Sequence, residues 1–256
     1  MRKYLFKLLG RKNYLRTLHL GFHFLYAAGA LKKNESYKYH YFDKNIIQKG
    51  DYILDIGANL GYYTKLFAEW AGKTGKVYAV EPVTIFADVI KWGTKKYNNI
   101  TVYNYALGKE EKEVTLSTPG KFGYLRTGLP HVVNDTDTNN YEFTFKAQMK
   151  KGSLLFSNLP KINFIKCDIE GYEEIVLPEM RELLMKHKPV IQLETWGEHK
   201  PKTESFLTGI GYEIYDIADD KLKPLKNINN PEANDLFFVH KENRAIIELL
   251  RKKGHA

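Results

Sequence analysis

Cysteine is nearly missing from this 256-residue chain, in which Cys167 is the one thiol. An internal disulfide is therefore excluded, and the composition fits a reducing compartment. Cys167 sits inside the apolar stretch FIKCDI, residues 164–169, and reads as a small buried hydrophobe rather than a reactive group. Internal repeats, low-complexity segments and Ser/Gly linkers are also absent. Length and composition favour one α/β domain whose core is large enough to need no staples. Long apolar runs are scarce. Residues 18–31 are short for a membrane span and contain His19 and His23, which counts against an anchor or signal peptide. Those two histidines have no third ligand near them in sequence, so they do not read as a metal site.

Acidic residues are scarce in one region alone. The net charge of +9 lies in the first 50 residues, where 11 Lys and Arg face two acids, Glu35 and Asp43. Residues 51–256 hold 28 bases and 28 acids and are neutral. That balance disfavours a basic nucleic-acid groove built into the fold. Residues 1–49 form a basic arm in which Leu8, Leu15, Leu18, Phe22 and Leu25 recur at spacings of three, four and seven, the pattern of an amphipathic helix. Arg2, Lys3, Lys7, Arg11, Lys12 and Arg16 precede its apolar part with no intervening acid. Such an arm can pack on the core as a cap that covers a cofactor, or touch an anionic membrane surface peripherally. The expected location is the cytoplasm; the second reading adds contact with the inner face of the membrane.

What is present concentrates in residues 52–61, YILDIGANLG, and 77–82, VYAVEP. An apolar run ends in Asp55, a glycine-bearing turn follows (Gly57, Ala58, Asn59, Leu60, Gly61), then an amphipathic stretch over residues 62–71 and a second apolar run ending in Glu81. The pattern is strand, tight loop, helix, strand, with a carboxylate at the carboxyl end of each strand. Ligands bind at those ends in an open parallel sheet.

The loop narrows the choice of ligand. Dinucleotide sites use G-x-G-x-x-G so that backbone can approach a pyrophosphate. Here the pattern is G-x-N-x-G, and Asn59 puts a side chain where the second glycine would stand. No Lys-Ser or Lys-Thr pair directly follows Gly61, which excludes a Walker-type triphosphate loop there. Asp55 would repel a pyrophosphate but suits an ammonium, and the first turn of the following helix offers free N–H groups to a carboxylate. Glu81, 26 positions after Asp55, can accept from both hydroxyls of a ribose. An amino-acid head plus a ribose indicates S-adenosylmethionine. The alternative is that Asp55 and Glu81 serve only as turn or capping acids.

DIGANLGYYTKLFA, GKVYAVEP, NYALG and FIKCDIEGYE, in this order, resemble the signature segments of FkbM-type methyltransferases over about residues 50–240. DIEG with a nearby glutamate is the family-specific part. The resemblance implies a class I methyltransferase, an α/β Rossmann-like fold with a seven-stranded sheet, mostly parallel with an antiparallel last strand and helices on both faces. It also implies O-methylation of sugars and related natural products. Residues 50–256 would form that domain, with Asp55, Gly57, Ala58, Asn59, Gly61, Glu81, Pro82 and Asp168 around the cofactor. Asn104, or the backbone at Tyr105 and Ala106, would meet the adenine edge by the same resemblance; otherwise Asn104 only stabilises the turn.

Residues 107–150 do not read as a plain βαβ unit. Strand-like residues 114–116 and 141–147 flank a polar loop over 117–140, which suggests an acceptor-binding insert with Tyr124, Arg126 and His131 as candidates, or an ordinary solvated loop. Residues 162–167 read as the fourth strand, delivering Asp168 and Glu170. Residues 189–193 read as the fifth, delivering Glu194, with Trp196, Glu198 and His199 just beyond. Residues 211–215 and 236–239 form a closing pair, and a C-terminal amphipathic helix covers 242–253.

Carboxylates converging at one point push a proton onto one of them or recruit a cation. Oxygen-only ligands favour Mg²⁺ or a similar hard cation. Asp168 and Glu194 are thus expected to hold a divalent cation or to position the acceptor hydroxyl, with Glu170 or His199 taking its proton. An alcohol is about as weakly acidic as water, pKa about 16. Proton removal must therefore accompany transfer. The expected activity is O-methylation of a sugar hydroxyl in a glycan, glycolipid or natural product. Nucleic-acid methylation is the enzymatic alternative, disfavoured by the neutral core and by the fourth strand ending CDIEG rather than Asn/Asp-Pro-Pro-Tyr. A noncatalytic Rossmann-like binding module is the alternative from another class.

Overall fold

The computed structural model describes residues 2–118, 122–128, 130–133, 141–194, 197, 199–226 and 235–256. The arm consists of α1 (Arg2–Ala27), a 3-10 turn (Glu35–Tyr37) and α2 (Lys38–Ile46). Then come β1 (Tyr52–Ile56), α3 (Tyr62–Ala71), β2 (Lys76–Val80), α4 (Thr84–Gly93) and β3 (Ile100–Tyr103). The insert supplies β4 (Ala106–Leu107), β5 (Lys112–Thr118), β6 (His131–Val133) and β7 (Phe143–Lys150). After α5 (Gly152–Leu155), β8 (Phe164–Cys167) leads into α6 (Glu173–Glu179) and α7 (Arg181–His187). The chain closes with β9 (Val190–Glu194), α8 (His199–Gly209), β10 (Tyr212–Ala218), β11 (Lys221–Leu225), β12 (Asp235–His240) and α9 (Arg244–Lys252).

The main sheet runs β11-β10-β12-β9-β8-β1-β2-β3. The five strands from β9 to β3 are parallel, and β12 is antiparallel to β9 and β10. The chain winds outward from β1 through β2 to β3, and from β8 through β9 the other way. β1 and β8 are therefore the point where strand order reverses, and a crevice opens there beyond the carboxyl ends. Gly57, just past β1, has φ 81, and a Cβ on it would lie 1.8 Å from the Asp168 carbonyl oxygen. Only glycine lets the two strand ends meet this closely.

The sheet has eight strands where seven were expected. β11 folds back on β10 through the two-residue turn Asp219-Asp220, both left-handed with φ 55 and 57. That geometry is the hairpin turn that matches strand twist, and aspartate tolerates it. The insert makes a separate sheet in the order β4-β7-β5-β6. Among the described residues, no helix is long and apolar enough to cross a membrane.

The central strands β1, β8, β9 and β12 alternate two buried faces. One face carries Leu54, Ile56, Ile165, Cys167, Ile191 and Leu193 against α6, α7 and α8. The other carries Ile53, Phe164, Val190 and Phe237, packed with Phe42 and Ile46 of α2 and Phe67 of α3. Helix α1 kinks at Gly10 (φ 67, ψ 167) and buries Tyr14 and Leu15 against Leu60, Val83, Phe86 and Val89. His19 Nδ1 donates to the Leu60 carbonyl at 2.7 Å, tying the arm to the glycine loop.

Leu15 is fully buried in this joint. Leu15→Ala should lower unfolding free energy by about 2–5 kcal/mol in a single transition. An unchanged melt, or two separate transitions, would show that the arm is not part of the cooperative core.

Candidate active site

Register places a polar row across an otherwise apolar face. Asp55 on β1 pairs with Lys166 on β8, and Lys166 with Gln192 on β9; Glu194 pairs with Asp235 on β12. Lys166 is buried, yet its Nζ lies 2.7 Å from Asp168 Oδ2 and 4.8 Å from the Tyr63 ring centroid. His40 of α2 stacks on that same tyrosine, its ring centroid 3.8 Å from that of Tyr63. Gln192 Nε2 donates to Tyr63 Oη at 3.2 Å. The arm, α3 and three strands thus converge on one ammonium. Burial alone would lower the lysine's pKa, but Asp168, Asp235 and Asp55 outweigh it and hold the amine charged.

Two cavities meet at this row and share Gly57, Asn59, Asp168 and Glu194. The first, about 270 Å³, adds Glu81, Pro82, Ala106, Glu170 and the insert residues Leu116, His131 and Val132. The second, about 650 Å³, lies between arm and sheet. Its walls carry Glu35, Asp55, Asp216 and Asp235, with Tyr39, His40, Tyr62 and Tyr63. Lys38 and Lys166 are its cations, each set against a carboxylate, Asp216 at 3.4 Å and Asp168.

The residues expected around a cofactor divide into three groups. Asp55 and Ala58 face the second cavity, Glu81, Pro82 and Ala106 the first, and Gly57, Asn59 and Asp168 both. Gly61 lines neither; it is the left-handed residue preceding α3, which begins at Tyr62. Asn104 is spent on the turn. Its Nδ2 donates to the carbonyls of Glu81 and Pro82 at 2.8 and 2.9 Å, and its Oδ1 accepts from Thr84.

The catalytic candidates also separate. Glu170 lines the first cavity and Glu194 both. His199 lines neither cavity: its ring packs on Gly171 and its Nδ1 sits 3.5 Å from Glu174 Oε1. The start of α8 places its ring against the loop after β8, beside Gly171 and Glu174. The expected cation at Asp168 and Glu194 meets a similar correction. Lys166 already supplies a positive charge to Asp168, and among the described residues no group of three or more His, Cys, Asp or Glu is arranged to hold a metal ion. In the insert, His131 lines the first cavity, Arg126 lies over the Phe122 ring at 4.6 Å, and Tyr124 packs beside α1. Trp196 and Glu198 fall outside the described residues.

Several contributors were not legible in the sequence, among them Lys166, Tyr63, His40, Asp235 and Glu173. Glu173 closes the loop after β8, where its Oε1 accepts from Ile169 N at 2.7 Å. Lys166 did leave a signal: a lysine inside FIKC, two positions before Asp168, must share that residue's face of the strand.

The site fits S-adenosylmethionine on its own atoms. Asp55 Oδ2 accepts from the Thr64 hydroxyl, while its Oδ1 is buried with no hydrogen-bond partner, an acceptor left open for an ammonium. Glu81 accepts from Asn59 N and Val83 N at 2.8 Å each. Both carboxylate oxygens keep a lone pair for a diol. Burial pushes Asp55 up to about 6 and Glu81 up to about 8, the latter against those two N–H donors. Donors arriving from a ligand would bring both back down.

A family model described as the methyltransferase FkbM domain matches residues 55–254. The protein-L-isoaspartate O-methyltransferases of Methanosarcina mazei and Methanococcoides burtonii are each 40% identical over 58 residues, 22% of this chain. The match spans 24% and 29% of those relatives' own lengths. The solved structure of methyltransferase FkbM from Methylobacillus flagellatus KT aligns over 76% of this chain and 44% of its own, at 16% identity and a TM-score of 0.48.

The raised carboxylates make cofactor binding pH-dependent. A group whose pKa falls on binding releases a proton, so affinity for S-adenosylmethionine should rise with pH, first near 6 for Asp55 and again toward 8 for Glu81. Asp55→Asn should abolish the lower step and Glu81→Gln the upper. Each should weaken binding roughly 10- to 100-fold, the worth of a charged hydrogen bond. Calorimetric titration across pH reads both; a flat profile in the unaltered protein would refute these roles.

Proposed function

The chain belongs to the FkbM methyltransferase family and carries an S-adenosylmethionine-dependent methyltransferase domain, and from that premise we propose that it methylates a hydroxyl of a sugar, in a glycan, glycolipid or related natural product. One observation carries the acceptor class. The cavity of about 650 Å³, which has Asp55 and the glycine loop on one wall, extends from them to further carboxylates and tyrosines: Glu35, Asp216 and Asp235 with Tyr39, Tyr62 and Tyr63. Carboxylates are acceptors for hydroxyl hydrogens, and aromatic rings offer faces to the C–H surfaces of a pyranose. An apolar acceptor would offer the remaining lone pairs of those carboxylates no donor, at a cost.

S-adenosylmethionine supplies a methyl group already activated on a sulfonium, so what remains for the chain is alignment and proton removal. Alignment alone can contribute roughly 7–11 kcal/mol. Asp168, anchored by Lys166, is held in one orientation at the junction of the cavities and positions the acceptor hydroxyl. Glu194 stands at the same junction. Burial, with Asp168 and Asp235 nearby, raises it to about 8, which suits a general base working near neutrality. It takes the hydroxyl proton as the oxygen–carbon bond forms. Glu170, raised to about 7 by burial and by Asp168, faces the first cavity alone and is the secondary candidate. Because Lys166 already offsets the local negative charge, the reaction needs no divalent cation at Asp168 and Glu194.

Glu194→Gln should lower kcat by about 10²–10⁴-fold and remove a rise in rate toward pH 8, while cofactor affinity holds and His199→Ala leaves turnover intact. A larger loss in Glu170→Gln would transfer the role to that residue. Exhaustive chelation should not slow the enzyme; loss of rate restored by Mg²⁺ would overturn the cation-free reading. For the acceptor, mass spectrometry of surface polysaccharide from cells with and without the protein should show a methyl ether that disappears. An unchanged glycan profile would refute the sugar assignment.

A further inference from the structure

We propose that the outer face of α1 is a docking surface for an anionic lipid bilayer. Helix α1 turns Tyr14, Leu15 and Phe22 inward and leaves a second set of apolar side chains outside. Five of the eight large apolar side chains exposed among the described residues belong to this one helix: Tyr4, Leu8, Leu20, Phe24 and Leu25. Tyr4, Leu8 and Phe24 are 78%, 82% and 73% exposed. Scattered exposed apolar residues are ordinary on a soluble protein, but their concentration in one element is not. Tyr4 and Leu8 are four apart and share a face of the segment before the Gly10 kink, and Leu20 and Phe24 share a face of the segment after it.

The charge around them has one sign. Arg2, Lys3, Lys7, Arg11 and Lys12 are exposed around Tyr4 and Leu8, Lys3 lying along Gly123 and Arg11 over the Phe143 ring. Helix α1 contains no acid, and among the described residues no salt bridge reaches it. Since the residues beyond the arm are neutral, this face is where an anionic partner is attracted. A polyanion alone, such as RNA, would account for the cations but not for exposed Leu8 and Phe24. Basic side chains interleaved with exposed aliphatic and aromatic ones suit the headgroup region of a bilayer, where both find partners. The surface is independent of which acceptor the enzyme takes. It is also separate from the two cavities, since neither is lined by any residue of α1.

The test is co-sedimentation of the full chain with vesicles of equimolar phosphatidylglycerol and phosphatidylcholine, set beside pure phosphatidylcholine vesicles and a double-stranded RNA. Binding is expected to the anionic vesicles alone and to fall steeply with added salt. The pair Leu8→Glu with Phe24→Glu, and the pair Lys7→Glu with Lys12→Glu, should each weaken it about tenfold or more with cofactor affinity unchanged. No binding to anionic vesicles, or equal binding to neutral ones, overturns the proposal. So does RNA binding that exceeds vesicle binding and ignores Leu8 and Phe24. Should the apolar pair fail to fold, the lysine pair and the salt dependence decide alone.

Discussion

A charged lysine inside a parallel sheet is expensive, and the arrangement around Lys166 shows what the protein has built to keep it. Breaking a buried ion pair by removing one partner costs about 3–5 kcal/mol, yet replacing the whole pair with apolar groups is often neutral or stabilising. Fold stability therefore does not account for Lys166. The residue sits between Asp55 and Gln192 in register, pairs with Asp168 and faces Tyr63. Each contact leads to a different part of the site: the cofactor loop, the strand carrying Glu194, the loop after β8, and the arm. Without that ammonium, Asp55, Asp168, Glu194 and Asp235 would repel one another and take up protons. With it, Asp168 keeps a fixed partner while Glu194 and Asp235 are still pushed up, to about 8 and about 6. One cation in a crowd of carboxylates separates an anchored acid from proton-accepting ones.

The same point of the fold is under steric constraint. Gly57 presses against the Asp168 carbonyl, so the end of the cofactor loop and the end of β8 cannot move independently. The cofactor residues and the acceptor-side carboxylates are in effect one rigid unit. Transfer of a methyl group by direct displacement rewards such rigidity, because alignment is most of what the protein contributes. Glu173 adds to it by holding Ile169 N from the far side of the loop. The DIEG segment, the family-specific part of the resemblance, has a mechanical role in the fold, fixing the position of Asp168 relative to Gly57.

Legibility in the sequence followed the range of the interactions. Apolar runs ending in Asp55, Glu81, Asp168 and Glu194 announced four parallel strands and the crevice at their ends, because period and terminal acid are local signals. The glycine loop was equally local. What long-range packing decides was not readable. For Asn104 only the folded chain shows that the Glu81 and Pro82 carbonyls come within reach of its side-chain amide. His199 lies five residues past Glu194 in the chain, but the helix that begins there rotates its ring onto Gly171. The hairpin strand β11 was missed because Asp219-Asp220 lacks the glycine that usually marks such a turn. His40 and Tyr63, far apart in sequence, meet only because α2 folds over α3.

That last contact changes how the arm is understood. Its residues are distant in sequence from the signature segments, yet Glu35, Tyr39 and His40 form part of the wall of the larger cavity. His19 holds the Leu60 carbonyl inside the cofactor loop, and His40 lies on the ring that faces Lys166. Burial lowers His19 and pushes His40 down to about 3, so both rings stay neutral and pack without adding to the local charge. Lys38, the arm's one cation on the cavity wall, is set against Asp216. An inner face of this kind lets the arm cover a carboxylate-rich crevice without disturbing the balance set by Lys166. None of the cations of α1 lines this cavity. A further unpaired lysine on the inner face would compete with Lys166 for the same acids and lower the carboxylates that burial now raises.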